Sequence, residues 1–203
     1  MSHSSLWAIT DQWEGEEHYT YSNSWLFCPI VWDVLLCKYI RPRERTDWGR
    51  EVKHYMVWIG PFDRAEANRR WGILNDRINA SPSQTDRVLW ELSGLSVFNA
   101  KDKSFVADCV EAFVEENYVN NPEYQNADHI IARARAIAAD IRGLPESAKY
   151  FVLKPTSCDD NVEYWFNNKQ LCSWDKKVCE FTLIEDQRIV GFASNLEICK
   201  KED

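Results

Sequence analysis

The chain has 203 residues, of which 45% are apolar, and it carries 32 acidic against 24 basic side chains for a net charge of −8. At this length one hydrophobic core can remove roughly 70% of the unfolded chain's surface from water, so whole-chain disorder is excluded. The acidic balance disfavours nucleic acid or an anionic membrane as the main ligand, because both demand local positive charge, and leaves a basic protein partner open.

Residues 5–27 read as extended structure. Leu6-Trp7-Ala8-Ile9 and His18-Tyr19-Thr20-Tyr21 are rich in strand-forming side chains, with a turn expected at Glu14-Gly15-Glu16-Glu17 between them. Pro29 suits the first turn of a helix over Ile30 to Ile40, which Arg41-Pro42 stops. The stretch from Lys38 to Lys53 holds six Lys or Arg against Glu44, Asp47 and Glu51, and reads as a solvated loop with internal ion pairs. Val52 to Ile59 alternates as a strand. Gly60-Pro61-Phe62-Asp63 then turns the chain into a helix from Arg64 to Asn79, with Ala67, Trp71, Leu74 and Ile78 at helical spacing.

Ser83 caps a short helix from Gln84 to Ser93, ended by Gly94. Asp102 or Ser104 starts a longer one that runs through Tyr118. Pro122 opens a further helix from Glu123 to Arg142, ended by Gly143 and Pro145, with Ile130, Ala134, Ile137, Ala138 and Ile141 as its apolar stripe. After Pro145 the pattern changes to four short β-rich runs: Tyr150–Leu153, Val162–Phe166, Val178–Ile184 and Arg188–Phe192. The expectation is a single α+β domain over 1–203, with central helices packed on an antiparallel sheet and a C-terminal β-meander. A subdivision into 1–145 and 146–203 is the alternative.

No hydrolytic or nucleotide-binding motif occurs. There is no G-x-S-x-G elbow, no phosphate loop, no G-x-G-x-x-G and no H-E-x-x-H, and the four histidines have no metal-ligand spacing. The seven cysteines are odd in number and lack close pairs, so they read as reduced structural thiols without a zinc site. With no secretory leader, lipidation motif or membrane-spanning run, the expected location is the cytoplasm. No cofactor and no metal are expected.

The one localised signal is an absence. Between Ser104 and Ala132 there is no Lys or Arg, while Asp108, Glu111, Glu115, Glu116, Glu123 and Asp128 all carry negative charge. Asp108, Glu111 and Glu115 fall at i, i+3 and i+7 on one helical face. Tyr118 and Tyr124 lie nearby and are of the type that anchors interfaces. Two readings stand side by side: a solvated face, or a surface that receives a cationic partner.

In size, acidity, aromatic richness and lack of catalytic motif, the chain resembles the immunity proteins of bacterial toxin–immunity systems, including those of contact-dependent inhibition. The acidic segment 104–132 is the residue-level feature that carries the resemblance. It implies cytosolic binding to a basic cognate toxin, such as a nuclease, by a protein that is not itself an enzyme. The residues expected to take part are Asp108, Glu111, Glu115, Glu116, Tyr118, Glu123, Tyr124 and Asp128. The competing classes are a small hydrolase whose site is assembled from scattered residues, such as Cys28 with His54, and a regulatory or structural subunit that buries its aromatic excess in a homomeric interface. Oligomeric state is left open.

Overall fold

The computed structural model describes residues 3–10, 14–22, 26–40, 64–94, 96–119, 127–156, 178–180, 189–191 and 197–199. The fold is α+β. Strand β1 (His3–Ile9) pairs antiparallel with β2 (Glu14–Ser22) on one side. On its other side it pairs antiparallel with β4 (Tyr150–Thr156), which in turn pairs antiparallel with β3 (Val97–Asn99). Three short strands extend this sheet to an order of β5-β2-β1-β4-β3-β6-β7: β5 (Val178–Glu180), β6 (Ile189–Gly191) and β7 (Glu197–Cys199).

The helices follow the local punctuation. Helix α1 (Cys28–Tyr39) has Pro29 in its first turn, where a missing N–H leaves no orphan donor. Helix α2 covers Arg64–Asn79, with Leu74 and Ile78 buried. In α3 (Gln84–Ser93) the Ser83 hydroxyl accepts the Asp86 N–H at 3.2 Å, and Gly94 ends the helix. A 3-10 turn at Ala100–Asp102 leads into α4 (Lys103–Val114), which continues as a π-helical turn over Glu115–Val119. Helix α5 spans Asp128–Arg142.

One layer of helices packs on one sheet face. Leu6, Ala8, Tyr21, Phe98, Phe151 and Leu153 of the sheet share a core with Val31, Leu35, Leu74, Leu89, Val110 and Ile137 of the helices. Strand alternation sends Trp7, Ile9, Val97, Val152 and Lys154 to the opposite face, and they are equally buried. Among the described residues no helix is long and apolar enough to cross a membrane.

Two expectations need correction, and one strand was not expected. Glu14–Glu17 is part of β2 and not a turn; pairing with β1, through a register shift at Leu6/Trp7, outweighs the weak strand preference of Gly and Glu. The Val97–Asn99 strand went unpredicted, because three residues are too few to show alternation. Helix α5 begins at Asp128, five residues after the expected Glu123. The expected C-terminal β-meander lies mostly outside the described residues. Strand β4 has both edges taken by β1 and β3, so β5 adds at the β2 edge, while β6 pairs parallel with β3 at the other and carries β7. The expected strands at Val52–Ile59 and Val162–Phe166, and most of the basic loop after Ile40, lie outside the described residues.

Candidate functional site

Helices α4 and α5 form an antiparallel pair joined by buried Val106, Val110, Phe113, Ala134, Ile137 and Ile141. This packing turns Asp108, Glu111, Glu115 and Glu116 outward as a ridge. Their side chains are 67%, 43%, 46% and 60% exposed, so all four carboxylates meet water. Asp128 is exposed at the start of α5. Tyr118 is only 5% exposed and belongs to the core, so it is a packing residue and offers no surface anchor. Glu123 and Tyr124 lie outside the described residues.

The ridge is not bare. Arg142 Nη2 lies 2.6 Å from Asp108 Oδ1 and 2.7 Å from Glu111 Oε2, while its Nη1 donates to Glu111 Oε1 at 2.7 Å. This two-pronged pairing holds the Glu111 carboxyl below the usual range and raises the guanidinium still further. Arg135 Nη2 donates to Glu115 at 3.0 Å. Lys38 of α1 sits 2.7 Å from Asp86 and 3.6 Å from Glu116. The run of acids that is unbroken in sequence is therefore laced with cations in space. Sequence reasoning missed these partners because they lie outside the 104–132 window. The readable signal was the spacing of Arg135 and Arg142, seven residues apart on one face of α5.

Exposed ion pairs of this kind contribute about 0–1 kcal/mol each, because water and salt compete for both partners. Asp108, Glu111 and Glu115 can therefore release Arg142 and Arg135 at small cost. The four ridge carboxylates share three cations, Arg142, Arg135 and Lys38, and Lys38 also serves Asp86.

Behind the ridge, a buried polar hub fastens α1 to α3. Asp86 accepts a short hydrogen bond from the Tyr39 hydroxyl and pairs with Lys38, and the Tyr39 hydroxyl also lies 2.7 Å from Ser81 Oγ. Burial and the Asp86 carboxylate raise the Tyr39 phenol, so it stays protonated. Between β2 and α5, the Tyr21 hydroxyl donates to Asp140 at 2.7 Å, and the Arg133 guanidinium lies 5.3 Å from the Tyr21 ring centre.

Two of the three placed thiols, Cys28 and Cys109, are buried and poor nucleophiles, while Cys37 is half-buried. Burial pushes Cys28 up to about 12 and Cys109 up to about 11, which keeps both protonated at neutral pH. His54, the imagined partner of Cys28, lies outside the described residues. Among the described residues no group of three or more His, Cys, Asp or Glu side chains is placed to hold a metal ion.

The chain matches no known family model, and neither a curated protein nor a solved structure is significantly similar to it.

Proposed function

We propose that this is a binding protein whose acidic α4 ridge receives a basic protein partner, in the manner of a cytoplasmic immunity protein that neutralises a cognate toxin by direct contact. The observation that carries this reading is the ridge itself: four water-facing carboxylates along α4 and the π-helical turn that continues it, backed by a packed core and held by ion pairs weak enough to be exchanged. Acidic surfaces suit such a role because long-range attraction speeds encounter and complementary charge sets the register of docking. The interfacial residues are Asp108, Glu111, Glu115 and Glu116, with Asp128 at the margin.

The test is a binding titration of the purified chain against the basic protein encoded beside it, at low and at high salt. We expect association to weaken steeply as salt rises. The Glu115→Lys, Glu116→Lys double variant should weaken it about tenfold or more with little change in melting temperature. An affinity that ignores both salt and the double reversal would place the interface elsewhere.

A further inference from the structure

A second, oppositely charged feature lies at the start of α4. An open cavity of about 430 Å³ is lined by Asn99, Lys101, Lys103, Ser104, Glu146 and Lys149 among others. Its walls come from three places in the chain: the end of β3, the start of α4 and the turn between α5 and β4. Backbone bonds to the sheet hold those pieces together. The Ala100 N–H donates to the Lys149 carbonyl at 2.8 Å, and the Lys149 N–H donates to the Ile9 carbonyl at 2.8 Å. The Lys103 ammonium donates to the Leu144 carbonyl at 2.7 Å and closes the floor of the turn.

Lys101 and Lys149 are exposed, and among the described residues their ammonium groups neither pair with a carboxylate nor donate a hydrogen bond. This contrasts with Lys38, Arg135 and Arg142, which are all committed to acids. Three lysines, Lys101, Lys103 and Lys149, line the same space with one acidic residue, Glu146, in a chain whose net charge is −8. A local excess of positive side chains in an acidic chain favours a bound anion. The Ser104 hydroxyl adds a neutral donor at the same wall. The volume falls in the range of small-ligand sites, roughly 300–1,000 Å³.

We infer that this lysine-lined cavity binds a small phosphate-bearing ligand, with Lys101 and Lys149 as its mobile charge donors and Lys103 and Ser104 as its fixed wall. Lysine serves phosphate well as a point charge, and a doubly charged phosphate can engage two ammonium groups at once. The inference is independent of the acidic ridge, and either can fail without the other.

The test is an NMR titration of the ¹⁵N-labelled full chain at low salt, with inorganic pyrophosphate in one arm and adenosine monophosphate in the other. We expect saturable shifts confined to the amides of residues 99–104 and 145–149, with affinity in about the millimolar range or better. Tighter binding of the nucleotide would assign the site to organic phosphates; equal or tighter binding of pyrophosphate would assign it to the free anion. The Lys101→Gln, Lys149→Gln double variant should bind about tenfold more weakly while its unfolding curve stays that of the wild type, since both side chains lie at the surface. Absence of saturable shifts, the same response to sulfate at matched ionic strength, or an unchanged affinity in the double variant would each overturn the assignment.

Discussion

Lys154 is fully buried on the sheet face turned away from the helices, opposite Ser5 in the strand pairing. Burial pushes its amine down to about 6, the charge of Glu17 acting in the opposite sense. Because the folded value lies below that of an ordinary lysine near ~10.4, the unfolded chain binds more protons over that interval. Stability therefore falls as pH drops from about 10 toward 6, then levels off. We expect Lys154→Met, of similar length but without charge, to stabilise the fold by on the order of 2 kcal/mol near pH 6, and by progressively less toward pH 10. Urea unfolding at pH 6, 7.5 and 9 checks this; parallel pH profiles for variant and wild type would show that Lys154 is not the group responsible. At the α1–α3 hub, Asp86→Ala leaves Lys38 and Tyr39 without their shared acceptor and is expected to cost about 2–3 kcal/mol. Ser83→Ala removes only the cap to the Asp86 N–H, so about 1 kcal/mol is expected. If thermal melts show the cap variant as the worse of the two, the hub is not what joins these helices.

The α4–α5 pair is the element on which the candidate surface is mounted. Ile137 is fully buried in it, and Ile137→Ala is expected to cost about 3 kcal/mol, read from chemical denaturation. A loss under about 1 kcal/mol would mean that the pair is not tightly packed. These helices were legible in the sequence wherever a residue forces a local backbone choice. Pro29 starts α1, Ser83 and Gly94 bracket α3, and the Ala134, Ile137, Ala138 and Ile141 stripe marks the buried side of α5. The strands were less legible, because what makes Glu14–Glu17 or Val97–Asn99 extended is the neighbour each pairs with. Pairing over long sequence separation leaves no local mark. The acidic face was half legible for the same reason. Spacing along α4 showed that Asp108, Glu111 and Glu115 share a side, whereas the arginines that meet them arrive only when α5 folds back. Tyr118 reads as a surface anchor by residue type, yet the π-helical turn at Glu115–Val119 carries it into the core.

For the molecule as a whole, charge is sorted along α4. Its start borders a cavity with three lysines, and its middle and end carry the carboxylate ridge. In the proposed function, the excess of negative charge across the chain would attract a cationic partner at long range and the ridge would give that attraction a defined place to land. The ion pairs on the ridge make the proposal sharper, since Arg142 and Glu111 belong to the same contact and differ only in sign. Loss of Arg142 frees both Asp108 and Glu111, whereas loss of the Glu111 charge leaves the Arg142–Asp108 pair in place. At this exposure each broken pair should change stability by only about 0–1 kcal/mol. The two losses should differ in the direction of their effect on a cationic partner. The most direct measurement is therefore the affinity of Arg142→Gln and Glu111→Gln for the basic protein encoded beside this chain, at one fixed low salt concentration. We expect Arg142→Gln to bind as tightly as the wild type or more tightly, and Glu111→Gln to bind several-fold more weakly. Equal weakening by both would mean that the pair serves only to hold α5 on α4, and that the ridge is not the docking surface.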